Sequence, residues 1–79
     1  MNPKVQVVEA LSNHKLKLKF DNGDTKFFDV TPYLDKGIFT ELKDEGYFKQ
    51  ARVSFGSVEW PNEQDFSKDT LYLLGKIAT

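Results

Sequence analysis

Arg52-Val-Ser-Phe-Gly-Ser-Val-Glu-Trp-Pro-Asn-Glu-Gln-Asp65 reads as a tight β-hairpin with Gly56-Ser57 at its turn, because Gly at the first central position suits a type II′ connection. In that register Phe55 pairs with Val58, and Val53 with Trp60. Side chains alternate along a strand, so these four are expected on one apolar face, with Arg52, Ser54 and Glu59 on the other. Pro61 has no N–H to donate and ends the strand. The only Trp of the chain is thereby set into an apolar face, and the rest of a small core must meet it there.

Upstream, Lys15-Leu-Lys-Leu-Lys-Phe20 alternates strictly, which puts Leu16, Leu18 and Phe20 on one face and Lys15, Lys17 and Lys19 on the other. Val5 to Leu11 reads as a strand before it, joined through the turn residues Ser12-Asn13-His14. Asn22-Gly23 signals a second hairpin, since both central residues of a type I′ turn need φ > 0. A two-residue loop makes Leu18 face Phe27, Phe20 face Thr25 and Lys19 face Lys26. Phe28 then falls on the lysine face; a bulge near Asp24-Thr25 instead exchanges Phe27 and Phe28. Both alternatives stand.

Thr31 as N-cap and Pro32 at the first helical position predict a helix entry, with Gly37 ending the turn. Ile38, Phe39 and Leu42 lie at helical spacing in a second short piece. Gly46 interrupts, and Tyr47-Phe48 start a last turn. Ser67 is an N-cap with Asp69 in the first turn, Phe66 and Leu71 stand at staple positions, and Gly75 is a C-terminal stop. The expected fold is α+β in two layers: an antiparallel sheet of about five strands, built from two hairpins, with short helices on one face.

At 79 residues the chain is expected to form one domain, residues 1–79, with modest stability, and its seven Phe supply much of the core. With no Cys there is neither a disulfide nor a thiolate metal site. No apolar run approaches a membrane span and the N-terminus lacks a signal peptide's apolar segment, so a cytoplasmic location and no membrane partner are expected. A net charge of −1 gives no bulk attraction to nucleic acid.

Catalytic, cofactor and metal sites are not expected. His14 lies in a turn, with no partner to hold it as a base. Glu59, Glu63, Asp65 and Asp69 are the densest carboxylates, but their spacing fits no Ca²⁺ loop, and two of them suit the dipole at a helix start. The five glycines are explained by turns and helix ends, with no phosphate-cradling pattern. Lys15, Lys17, Lys19 and Lys26 form a basic stripe, read first as a solvated face that resists edge pairing and second as a phosphate-binding patch. Trp60-Pro61-Asn62 is read first as a core anchor and corner, second as a contact hot spot.

The run Phe28-Asp-Val-Thr-Pro-Tyr-Leu-Asp-Lys-Gly-Ile-Phe39, followed by Leu42, Asp44, Phe48, Val53, Trp60-Pro61-Asn62, Asp65 and Asp69-Thr-Leu-Tyr72, resembles a small bacterial family catalogued as domain of unknown function 2442. The likeness extends from Val7-Val-Glu-Ala10 to Tyr72. The resemblance implies a two-layer α+β domain without assigned enzymatic activity, standing alone or followed by a helix-turn-helix domain that these 79 residues do not contain. It also implies a setting beside another very small gene, like a toxin–antitoxin pair. The expected function is a non-enzymatic module that binds another small protein or itself through Phe28, Tyr33, Ile38, Phe39, Leu42 and Trp60. The alternative is a nucleic-acid accessory domain that uses the four lysines.

Overall fold

The computed structural model describes residues 2–77. Three strands, β1 (Val5–Leu11), β2 (Lys15–Phe20) and β3 (Thr25–Asp29), form the expected antiparallel meander. The alternation of β2 is realised fully: Leu16, Leu18 and Phe20 are buried and Lys15, Lys17 and Lys19, alternating with them, are exposed.

The hairpin loop between β2 and β3 has three residues, not two. Phe20 N–H donates to the Asp24 carbonyl (2.9 Å) and Gly23 N–H to the Phe20 carbonyl (3.0 Å). Asn22 Oδ1 accepts the Asp24 N–H at 3.0 Å, so the Asn side chain closes the turn and only Gly23, at φ 91°, has to be left-handed. That single extra residue moves every side chain of β3 to the opposite face. Leu16 faces Phe28, Lys17 faces Phe27, Leu18 faces Lys26 and Lys19 faces Thr25. Phe28 is in the core, Phe27 outside, and Lys26 is buried under the last helix. The exchanged alternative therefore holds, and Lys26 does not belong to the basic stripe.

The second hairpin also departs from its expected register. β4 (Arg52–Ser54) and β5 (Ser57–Glu59) pair Val53 with Val58 and Arg52 with Glu59, which leaves Phe55-Gly56 as the two central residues. Both are left-handed, at φ 50° and 79°, as a type I′ turn requires. Gly56 is fixed there by its surroundings. Its carbonyl accepts Val5 N–H at 2.9 Å, and a Cβ would lie 2.8 Å from the Lys4 side chain. Val53, Val58 and Trp60 keep the common face expected of them. Phe55 leaves it and is 100% exposed.

Beyond Trp60 the chain makes another three-residue hairpin and returns as β6 (Asp65–Phe66), with Val58 opposite Phe66. Its bonding repeats that of the first hairpin: Trp60 N–H to the Gln64 carbonyl, 2.9 Å, and Glu63 N–H to the Trp60 carbonyl, 3.1 Å. The left-handed place taken by Gly23 there is taken here by Glu63, at φ 74°.

The middle of the chain forms 3₁₀ turns at Thr31–Tyr33 and Gly37–Lys43, then α1 (Glu45–Phe48). Thr31 is the first residue of its turn and not its cap; its N–H is held by Asp29 Oδ1 at 2.9 Å. Gly37 opens the second turn instead of only ending the first. Helix α2 (Lys68–Leu74) is capped by Ser67, whose Oγ accepts Thr70 N–H at 3.2 Å. After Gly75, β7 (Lys76–Ile77) pairs with β3; Ala78 and Thr79 lie outside the described residues.

The strands divide into two sheets, β1-β2-β3-β7 and β4-β5-β6, and not one of about five. The additional strands, β6 and β7, have two residues each, too few to show a period. The inner faces of both sheets close on one core with Val30, Leu34, Leu42, Phe48 and Leu71. Phe66 stands at its centre, with ring centroids 5.0–6.0 Å from those of Phe28, Tyr33, Phe39 and Trp60.

Glu63 occupies a left-handed position that disfavours any side chain, so Glu63→Gly is expected to raise stability by about 1 kcal/mol. Urea unfolding checks this; an unchanged or lowered midpoint counts against strain at this corner.

Candidate functional site

The Trp-Pro-Asn corner is built as structure. Trp60 Nε1 donates to the buried Phe48 carbonyl at 2.9 Å, and its ring stacks on Phe48. The adjacent Gln64 is fully buried, and its amide is saturated. Nε2 donates to the Ile38 carbonyl (2.8 Å) and to Glu41 Oε1 (3.1 Å), and Oε1 accepts the Tyr47 hydroxyl hydrogen (2.7 Å). Asn62 adds its N–H to the Tyr47 oxygen and its Nδ2 to Glu41 Oε2, both at 2.8 Å. Trp60 therefore has no surface to offer.

His14 is half-buried, not free in a turn. Its ring meets Phe48 edge-on at 5.1 Å, and Nε2 lies 3.2 Å from the Lys43 carbonyl. That oxygen only accepts, so Nε2 carries the proton and the imidazole serves as a strut. Among the described residues no group of three or more His, Cys, Asp or Glu is gathered as a metal site.

Lys26 has become part of the packing of α2. Its Nζ donates to the Tyr72 carbonyl at 2.6 Å and lies 3.6 Å from the centre of the Tyr72 ring. The Tyr72 hydroxyl in turn donates to Asp24 Oδ2 at 2.7 Å, with Asn22 Nδ2 on the same oxygen at 3.1 Å. These bonds favour ionised Asp24 and lower its pKa, the Tyr72 bond first; the same bond raises that of Tyr72. Asp29 is lowered by its bonds to Thr31, and Asp69 by those from Asn2 and Lys68. All three carboxylates are held as anions by structural partners.

The outer face of the four-stranded sheet carries Lys15, Lys17 and Lys19, interleaved with acids. Lys17 stands opposite Glu9, and Lys15 opposite Asp29. The cross-strand pairs thus offset part of the positive charge.

A cleft of about 410 Å³ opens along the β3–β7 edge of this sheet. Phe27, Phe28, Pro32, Tyr33 and Leu74 form its apolar walls, and Lys15, Asp29 and Lys76 its polar parts. Each wall has a local cause. The three-residue loop sets the facing of Phe27 and Phe28. The Asp29–Thr31 bond starts the turn that brings Pro32 and Tyr33 over β3. The Lys76–Phe27 pairing draws the end of α2 alongside. Leu74 is 59% exposed, and its neighbours Leu73 and Ile77 are exposed as well.

Of the six residues expected at a protein contact, the structure brings Phe28 and Tyr33 together in this cleft, Phe28 nearly covered by its neighbours. Leu42 and Trp60 are buried, Phe39 packs on Phe66, and Ile38 is exposed but does not line the cleft. Leu74 and Lys76 were missed. A signal for them existed: Leu71-Tyr-Leu-Leu74 places four apolar residues in succession on a short helix, more than one buried face accommodates.

Because the folded state lowers the Asp24 pKa, its contribution to stability is present above the ordinary value of 3.8 and is lost as pH falls through the folded value. Tyr72→Phe removes the largest cause. The stability gap between wild type and this variant is therefore expected to be full near neutrality and to narrow below pH 3.8, read from urea midpoints across pH. A gap that ignores pH contradicts a charged hydrogen bond.

Comparison with known proteins adds one finding. A family model described as "Protein of unknown function (DUF2442)" matches residues 5–76, from the first residue of β1 to the first of β7. No curated protein and no solved structure matches the chain. With the match running through both sheets and both helices, the chain belongs to the DUF2442 family.

Proposed function

We propose that this domain is a non-catalytic module that binds another protein, and that the contact is made at the cleft between β3, the Tyr33 turn and the end of α2. The carrying observation is the open apolar set of Leu73, Leu74 and Ile77 beside aromatic cleft walls. Burying a side chain of this kind is worth about 1.5–3 kcal/mol, and the fold leaves that free energy unused. Exposed apolar groups rimmed by charge are the usual composition of a protein contact. The anionic state of Asp24, Asp29 and Asp69 supports the non-catalytic reading, since none is poised as an acid near neutral pH. The family resemblance supports a second small protein as partner, in a toxin–antitoxin-like or other regulatory pair in the bacterial cytoplasm.

A nucleic-acid role for the outer sheet face has weaker support. Lys26 is withdrawn, and Glu9 and Asp29 sit across from two of the three remaining lysines.

The test is a tagged pull-down from the native cell, with and without nuclease, comparing three proteins. Wild type is expected to retain a stoichiometric partner. Leu74→Glu, a change at an exposed position, is expected to lose it, while joint replacement of Lys17 and Lys19, which do not line the cleft, by Glu leaves it in place. Retention that depends on the lysines and vanishes with nuclease reverses the reading.

A further inference from the structure

The charge around the β3–β7 cleft is uneven. Lys15 and Lys76 line it against a single acid, Asp29, and Lys36 Nζ lies 5.9 Å from the centre of the Tyr33 ring that forms one wall. Among the described residues the ion pairs are Lys43–Asp35, Arg52–Glu59 and Lys68–Asp69, and none of these three cations takes part in one. Asp29 stands opposite Lys15, but its Oδ1 already accepts the Thr31 N–H at 2.9 Å. Asp35, next to Lys36 in sequence, is taken by Lys43 at 3.0 Å. The carbonyl end of α2 is a further source of negative potential, and Lys26 meets it, its Nζ donating to the Tyr72 carbonyl at 2.6 Å. Over the whole chain acids outnumber bases, 12 to 11, so the positive excess belongs to this place and not to the composition.

Between the cations the surface is apolar. Phe28 and Tyr33 stack with centroids 5.7 Å apart and 25° between their planes, and Pro32 and Leu74 add aliphatic surface. Beyond the cleft this surface continues on Leu73 and Ile77, each 69% exposed. A volume of about 410 Å³ falls in the range of sites that enclose a compact ligand group.

We infer that the partner presents an acidic, apolar peptide segment: one large apolar side chain enters the cleft, and Asp or Glu residues beside it meet Lys15 and Lys76. The inference rests on the cleft reading above and gives its occupant a chemistry. An apolar segment without carboxylates would strip water from the two lysines and return no counter-charge. A carboxylate without an apolar neighbour would leave the aromatic walls and Leu74 in water. Only the combination is complementary to the site in both respects. A nucleic acid supplies negative charge, but its phosphates give no cover to Leu73, Leu74 and Ile77, which the flanks of a peptide segment reach. The contact is small and reversible, and the exposed ion pairs make it weaken with salt.

Selection of random heptapeptides displayed on phage, with the purified domain as bait, reads the preference directly. Wild type is expected to enrich peptides with a large apolar residue flanked by Asp or Glu, and Leu74→Glu to lose that enrichment. Joint Lys15→Glu and Lys76→Glu, both at exposed positions, is expected to turn the preference toward Lys and Arg beside the same apolar residue. Mere damage to the fold does not reverse a charge preference. The best wild-type peptide, titrated by fluorescence anisotropy at physiological salt, is expected to bind this double variant about tenfold more weakly, as loss of two exposed ion pairs implies. Enrichment without acidic residues that is still lost in Leu74→Glu leaves the cleft reading standing and overturns the acidic partner. Enrichment that survives Leu74→Glu removes the cleft and the segment together. No enrichment also overturns the inference, and labelled single-stranded DNA bound through Lys15 and Lys76 then identifies a nucleic acid as the occupant.

Discussion

A buried amide with every hydrogen bond satisfied is the constraint on which this small domain depends. Gln64 has no access to water, so its oxygen and both of its N–H groups need protein partners or incur the full penalty of desolvation. It finds them on two separate segments, the 3₁₀ turn at Ile38 and Glu41 and helix α1 at Tyr47, while its main-chain carbonyl receives Trp60 N–H within its own hairpin. The turns and short helices between β3 and β4 have too few residues to be stable alone. They are held in place because one side chain requires them there. Trp60 and Phe66, on either side of Gln64 in sequence, then bring the aromatic core to the same place.

The two three-residue hairpins show how one bonding pattern is written in different letters. At Phe20–Asp24 the left-handed residue is Gly23, and at Trp60–Gln64 it is Glu63. Asn22-Gly23 made the first hairpin legible, and the alternation of β2 made its buried face legible. Neither revealed the loop length, because Asn22 serves a two-residue turn through its backbone or a three-residue turn through its side chain. The facing of Lys26, Phe27 and Phe28 depends on that difference. The second hairpin beyond Trp60 was not legible, since Glu63 carries no sign of a positive φ.

The candidate site was partly legible for the same reason. Tyr33 and Phe28 followed from the sequence as aromatic residues at a strand end and a turn. Which aromatic residues stay uncovered is decided by tertiary packing: Phe66, on a two-residue strand without periodic signal, covers Phe39 and most of Phe28. Leu74 and Lys76 join the cleft only because β7 pairs with β3, a contact between residues some fifty positions apart. Phe55 was placed in the core by a register one turn position away from the true one.

The short β7 strand has a consequence for how the cleft behaves in time. Two residue pairs fasten Lys76 and Ile77 to β3, and both side chains are exposed. Such an element opens at a small fraction of the free energy needed to unfold the β1-β2-β3 meander, so its amides exchange with solvent early and independently. One wall of the cleft thus hangs on the part of the molecule that yields first. The width of the opening is set by a local equilibrium, and an occupant that draws β7 against β3 also protects those two amides from exchange.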